Sequence, residues 1–125
     1  MSVGSGTLSF YPSINRSMGW ASAPSIPFRT QPLHVSVTIS ADDRFVLEGV
    51  RSTCVRVTRA GEIWSRQPYT NEVMAQPNDG YFRWDGASQG PEWPIGDTVH
   101  LELWMETVAE RYVVDLGEMT INGED

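Results

Sequence analysis

The chain has 125 residues, the size of one domain, and 40% of them are hydrophobic and 20% charged. This balance excludes a disordered chain, and no run approaches the roughly 18 consecutive apolar residues of a membrane-spanning helix. The formal net charge of -7 disfavours nucleic acid and anionic membrane surfaces as partners.

The N-terminus does not resemble a secretion signal. The segment Met1–Gly6 lacks a basic start and an apolar stretch of about 7–15 residues. We therefore expect a cytoplasmic protein, or a secreted protein from which the signal has been removed. Cys54 is the only cysteine, so no intramolecular disulfide can form. Its position within an alternating segment predicts a small strand residue rather than a nucleophile, which would need a basic partner.

Residues 1–32 differ in composition from the rest of the chain. They contain four prolines, three glycines, two arginines and no acidic residue, which disfavours a regular element. Their apolar side chains are nevertheless too numerous for a solvated linker. We predict an extended apolar arm over 1–32 and a separate folded domain over 33–125. The arm either covers this domain, with one short strand at Thr7–Tyr11, or docks on another chain.

From Leu33 onward, the hydrophobic pattern has the period of two that is typical of half-buried strands. It is cleanest over Leu33–Ser40, where every second residue is aliphatic. A short apolar run at Phe45–Leu47 ends at Gly49. The strands predicted further along the chain are Thr53–Arg59, Glu62–Ser65, Tyr81–Trp84, Thr98–Met105 and Glu110–Leu116.

About seven short strands separated by turn residues predict an all-β fold, an antiparallel β-sandwich. In the strand over Thr53–Arg59, alternation directs Thr53, Val55 and Val57 toward the core. Parallel strands would need helical crossovers, and the sequence has no sustained helical period. The only helix candidate is the short segment Glu106–Arg111.

The order of these elements resembles a transthyretin-like (prealbumin-like) β-sandwich domain, and an immunoglobulin-like sandwich nearly as well. The resemblance implies a fold that many bacterial accessory domains share. The residues that carry it are the alternating strand Leu33–Ser40, the strand Thr53–Arg59 after a turn, Asn78–Phe82 opening a central strand, and Pro94–Asp97 leading into Val99–Met105.

One enzyme family of this fold, 5-hydroxyisourate hydrolase, has an N-terminal His-Val element that His34-Val35 resembles. This resemblance implies a small hydrolase in which His34 is functional. The family's C-terminal Tyr-Arg-Gly-Ser motif has no counterpart in Thr120–Asp125.

Two histidines and three tryptophans are the candidate site residues. His34 and His100 lie at outward strand positions and would meet if their strands were neighbours, as a hydrolase would require. Trp84 and Trp93 border loops rich in glycine and proline, and Trp104 is predicted to face outward. Exposed tryptophans anchor protein interfaces and stack on sugars.

No catalytic set, metal-ligand spacing or cofactor motif is present, so we predict none of these sites. The leading hypothesis is a non-enzymatic binding or assembly module that acts through protein–protein contacts or self-association. The first alternative is carbohydrate binding through Trp84, Trp93 and Trp104. The second is a small hydrolase that uses His34 and His100.

Overall fold

A computed structural model describes residues 1–3, 6–16, 32–76 and 80–123 of the chain. No helix in these ranges is long and apolar enough to span a bilayer. In chain order the elements are β1 (Ser2–Val3), β2 (Gly6–Thr7), β3 (Ser9–Arg16), β4 (His34–Ala41), α1 (Arg44–Glu48), β5 (Arg51–Arg59), β6 (Glu62–Arg66), β7 (Tyr69–Thr70), β8 (Met74–Ala75), β9 (Tyr81–Ala87), β10 (Thr98–Glu106), β11 (Arg111–Thr120) and β12 (Asn122–Gly123).

The longer strands form two sheets that share one core. The four-stranded sheet has the order β11-β10-β5-β6, and the six-stranded sheet has the order β12-β3-β4-β9-β7 with β8 also paired to β9. The pairs are antiparallel except for β12 with β3. The predicted all-β antiparallel sandwich is confirmed. Its core includes Val35, Val37 and Ile39 from one sheet and Val55, Val57, Leu101 and Leu103 from the other.

Strand β3 brings the N-terminal residues into the sandwich. It pairs with β4 along most of its length, and Leu8 and Ile14 are fully buried in the core. Pro12 lies in the middle of β3 and has no N–H to donate. It is accommodated because, among the described residues, the other edge of β3 pairs only at its end, with β12.

The expectation that the core begins only at Leu33 is therefore wrong. The short strand predicted at Thr7–Tyr11 is longer and lies slightly further along the chain, as β3. Alternation in this segment was obscured because Pro12 interrupts the apolar pattern. Residues 17–31 of the predicted arm lie outside the described residues, and their packing stays a prediction.

Strands β5 and β6 form one hairpin, and strands β10 and β11 form a second. Ala60 and Gly61 connect β5 to β6 with φ angles of 45° and 89°, the positive values that a two-residue hairpin loop requires. The segment Glu106–Arg111, the only helix candidate in the sequence, is not helical, since residues 107–110 form the loop between β10 and β11. Thr107 Oγ1 accepts hydrogen bonds from two backbone N–H groups of this loop, at 3.2 and 3.0 Å.

The apolar run Phe45–Leu47 belongs to the short helix α1. Asp43 caps the helix, because its Oδ1 accepts a hydrogen bond from the Phe45 N–H at 2.8 Å. Leu47 packs into the core, whereas Phe45 is 79% exposed. The helix follows β4, precedes β5 and covers one end of the core.

A bulge in β5 changes which residue faces the core. The register with β10 shifts between Trp104 and Met105, so Ser52 lies opposite Met105 and Thr53 is left without a partner in the ladder. Ser52 is buried, and the Thr53 hydroxyl donates to the Trp104 carbonyl at 3.2 Å. The prediction that Thr53 faces the core is wrong, and the prediction for the two valines that follow is confirmed.

Candidate binding surface

The outer surface of the six-stranded sheet carries no Asp, Glu, Arg or Lys on its three long strands. On each of these strands, the residues that alternate with core residues point away from the core. We call this surface the uncharged face. Its residues are Ser9, Tyr11, Ser13 and Asn15 of β3, His34, Ser36, Thr38 and Ser40 of β4, and Phe82, Trp84 and Gly86 of β9.

Strand register arranges hydroxyl and aromatic side chains in rows across the uncharged face. Tyr11 lies opposite Thr38, and Thr38 lies opposite Trp84. Because neighbouring strands are about 4.8 Å apart, the two aromatic residues stand roughly 10 Å from each other across the β4 hydroxyls. Tyr11 is 62% and Trp84 41% exposed. The face is therefore a shallow trough with a hydroxyl floor and aromatic sides.

The aromatic side of the trough continues along β9 and β7. The rings of Phe82 and Trp84 are 5.2 Å apart and meet edge to face at 77°. Tyr69 lies opposite Gly86, where an added Cβ would come within 2.7 Å of the tyrosine hydroxyl oxygen. Glycine thus gives Tyr69 room to lie on the sheet. Met74, which is opposite Phe82, is also about half exposed.

His34 is the one side chain among the outward residues of these three strands whose ordinary pKa lies near neutral pH. Its partial burial lowers the pKa of the imidazole from the ordinary value of 6.5, because desolvation disfavours the protonated form. The neutral imidazole therefore predominates at neutral pH. His34 therefore adds no charge to the uncharged face at neutral pH.

A polar hollow of about 280 Å³ opens at the other end of the uncharged face. Its lining includes Ser9, Tyr11 and Ser40 of the face, together with Asp42 and Gln76. These groups offer hydroxyl, amide and carboxylate hydrogen-bonding partners next to an aromatic ring. The hollow can accommodate a small polar ligand.

His100 and Trp104 lie on the opposite side of the molecule from His34. Both are on β10, and they point outward from the four-stranded sheet. The core separates the two histidines, so they cannot form the single site that the hydrolase hypothesis requires. His100 Nε2 lies 2.9 Å from Asp115 Oδ1, and the Arg56 guanidinium lies 5.9 Å from the centre of the Trp104 ring.

Trp93 is a core residue, 8% exposed. The Arg59 guanidinium lies 5.7 Å from its ring centre, and Arg16 Nη1 donates to its carbonyl at 3.1 Å. The three candidate tryptophans therefore occupy three environments: Trp84 is on the uncharged face, Trp93 is in the core and Trp104 is on the four-stranded sheet. They do not form one stacking platform.

Strand β9 carries a buried ion pair that is hydrogen-bonded to the other sheet, and sequence reasoning missed it. Arg83 and Asp85 are 4% and 0% exposed, and Arg83 Nη2 lies 3.1 Å from Asp85 Oδ2. Ser52 donates to the same carboxylate, and Arg83 Nη1 donates to the Leu47 carbonyl at 2.7 Å. The alternation of Arg83 and Asp85 with Phe82 and Trp84 was the available signal, but it does not say which pair points inward.

The buried ion pair is a structural element rather than a reactive site. Its polar atoms are occupied by one another, and no buried side-chain nitrogen or oxygen in the described ranges lacks a hydrogen-bond partner. The described residues also include no group of three or more His, Cys, Asp or Glu placed to hold a metal ion. The uncharged face is therefore the candidate site that the geometry favours.

Comparison with known proteins finds no matching family model, no matching curated protein and no matching solved structure. The transthyretin-like resemblance accordingly stays a prediction about the type of sandwich.

Proposed function

We propose that this protein is a non-enzymatic binding module that contacts a protein partner through the uncharged face. The observation that carries the proposal is a broad sheet surface with aromatic and hydroxyl side chains, and without acidic or basic ones on its three long strands. The chain nevertheless has a net charge of -7. Depletion of charged residues and enrichment of Tyr and Trp characterise the centres of protein interfaces.

The side chains of the uncharged face suit protein recognition. Tyrosine and tryptophan supply large, stiff contact areas, and serine supplies adaptable hydrogen bonds; antibody binding loops combine the same residue types. Tyr11 and Trp84 of this face, and Tyr69 beside it, remain 41–62% exposed. Covering them would remove apolar area from water, and each Å² stabilises the contact by about 25 cal/mol before the costs of association.

The proposal is tested by comparing variants of the two outer sheet faces in affinity capture from a lysate of the source organism. The double substitution Tyr11→Ser with Trp84→Ser removes aromatic area from both sides of the trough. The matched control Trp104→Ser removes one exposed tryptophan from the opposite sheet. We expect the wild type and the control to retain a protein that the double variant loses. Titration with that purified protein should then show at least about a tenfold higher Kd for the double variant.

Circular dichroism and denaturant unfolding must show that the double variant is folded. If folded Tyr11→Ser/Trp84→Ser recovers the same proteins with unchanged affinity, the uncharged face is not the contact surface. Loss of the same protein by Trp104→Ser alone would place the contact on the four-stranded sheet and would also contradict the proposal.

A neutral carbohydrate is the second candidate ligand, favoured by the polar hollow beside Tyr11. An aromatic ring, hydroxyls, an amide and a carboxylate would meet the apolar face and the hydroxyl groups of a sugar. Tryptophan fluorescence of the full chain, titrated with a panel of neutral oligosaccharides, tests this candidate. A saturable change that Tyr11→Ala removes would support it, and no change with any sugar would exclude it.

A further inference from the structure

Strand β11 forms an edge of the four-stranded sheet. It pairs with β10 on one side, and no strand among the described residues pairs with its other side. A bulge at Leu116 interrupts the strand: Gly117 has a φ of 82°, and its N–H donates to Asp115 Oδ1 at 2.8 Å. The regular part of this edge is therefore the five-residue segment Arg111–Asp115, whose unpaired backbone groups can accept another strand.

The outward side chains of this segment form a self-complementary series. Arg111, Val113 and Asp115 are exposed, and their side chains are positively charged, apolar and negatively charged, respectively. If a second copy pairs antiparallel about a two-fold axis at Val113, Arg111 of each copy lies opposite Asp115 of the other. Because an axis at Arg111 or at Asp115 would place like charges opposite each other, only the axis at Val113 satisfies both charges.

We infer that the chain forms a symmetric dimer in which segment Arg111–Asp115 pairs antiparallel with the same segment of a second copy, centred on Val113. The occupant of this edge is thus another molecule of the same chain. The contact is isologous, since each copy contributes the same surface, and two-fold symmetry of this kind is the commonest way in which identical chains assemble.

The charged groups of this segment are available for the contact. Among the described residues, Arg111 has no ion-pair partner. Asp115 engages His100 and the Gly117 N–H through Oδ1, which leaves Oδ2 for a second cation. Two Arg111–Asp115 pairs would therefore form across the axis without breaking a bond within either copy.

The centre of the contact is apolar. Val113 is 55% exposed and lies opposite Trp104 of β10, which is 37% exposed. In the dimer, Val113 and Trp104 of one copy would lie in one row with Val113 and Trp104 of the second copy. The dimer thus has an apolar centre flanked by two charge pairs, the arrangement typical of protein interfaces. The uncharged face takes no part in it, so this inference is independent of the proposed function.

The test uses two single charge reversals of the full chain, Arg111→Glu and Asp115→Arg, measured by sedimentation velocity over a concentration series. Each reversal places like charges opposite each other twice in its own dimer. We expect each variant alone to dimerise on the order of tenfold more weakly than the wild type.

Mixing the two variants should restore the contact, because each copy then supplies charges of one sign. In the mixed pair, the glutamate introduced in one copy lies opposite the arginine introduced in the other. The unchanged Asp115 of the first copy lies opposite the unchanged Arg111 of the second. The mixture should therefore form a heterodimer at wild-type strength.

Glu118→Arg is the matched control. It reverses one exposed charge on the same strand beyond the bulge, where the proposed register has no opposing charge, and should leave the dimer unchanged. Wild-type chain that remains at 14.0 kDa at all concentrations would overturn the inference. Dimerisation that is equally strong in all three variants would also overturn it. If each reversal weakens the dimer but the mixture does not restore it, the register centred on Val113 is wrong.

Discussion

Strands β9 and β10 lie in different sheets and differ in which side chains face the core. On β10, aliphatic residues such as Leu101 and Leu103 face the core, and charged residues such as Glu102 face solvent. On β9, Arg83 and Asp85 face the core, and the aromatic rings of Phe82 and Trp84 face outward. A period of two thus identifies two sides of a strand, but hydrophobicity alone does not decide which side is buried.

The orientation of β9 is decided by hydrogen-bonding partners that are available in the core. The Ser52 hydroxyl and the Leu47 carbonyl, together with the ion pair itself, satisfy the polar atoms of Arg83 and Asp85. Burying two charges costs several kcal/mol per ion unless such partners exist. The partners come from β5 and α1, which are more than 30 residues away in sequence. The local pattern of β9 therefore does not reveal them.

The largest expected loss of stability comes from a substitution on the inward side of β9. Asp85→Ala leaves Arg83 buried without its counter-charge and should lower the free energy of unfolding by about 3–5 kcal/mol. Urea denaturation followed by circular dichroism measures the loss. The double substitution Arg83→Met with Asp85→Leu removes both charges and should be more stable than the single variant. A loss below about 1 kcal/mol for Asp85→Ala would show that the pair is not desolvated as described.

A smaller loss of stability is expected for substitutions on β3, and it should differ between the two sides of the strand. Ile14→Ala removes a fully buried side chain and should cost about 2–5 kcal/mol. Tyr11→Ala on the outward side should change stability by no more than about 0.5 kcal/mol, because no core packing is lost. Parallel denaturant titrations compare the two variants. Equal effects would contradict the placement of β3 in the sandwich.

The smallest expected effect concerns pH and the uncharged face. The pKa of His34 is lowered in the folded chain, so below its ordinary value of 6.5 the unfolded chain binds the proton more readily. His34 therefore lowers stability as the pH falls through that value, and this contribution is absent at higher pH. In His34→Gln, the loss of unfolding free energy between about pH 7.5 and about pH 5 should be smaller than in the wild type. An identical loss in both would show that His34 is solvated.

Sequence reasoning predicted those strands whose two sides differ clearly in hydrophobicity. Thr98–Met105 and Leu33–Ser40 were identified because aliphatic and polar residues alternate there without interruption. It missed the role of β3, where Pro12 interrupts the pattern, and the short helix α1, which Asp43 caps. Each miss involves a segment whose conformation depends on one local hydrogen bond or on packing against distant strands.

The candidate site was only partly accessible from the sequence. Trp84 was identified as an exposed tryptophan, but the uncharged face is built from three strands and Tyr69 beside it comes from a fourth. Tyr11, Thr38 and Tyr69 become its neighbours through strand order and register, which no single segment of the sequence specifies. Trp93 and Trp104 were grouped with Trp84 because tryptophan content does not reveal which sheet or layer a ring occupies.

The inverted side pattern of β9 has a consequence for how the chain folds. A slip of one residue against β4 would turn Phe82 and Trp84 toward the core, and hydrophobic collapse alone favours that misaligned pairing. Native alignment becomes favourable only once Ser52 and Leu47 are in position to receive the ion pair. We therefore expect β9 to join the sheet late in folding, with φ-values near zero for substitutions at Asp85. The buried charges would then select the correct alignment after collapse.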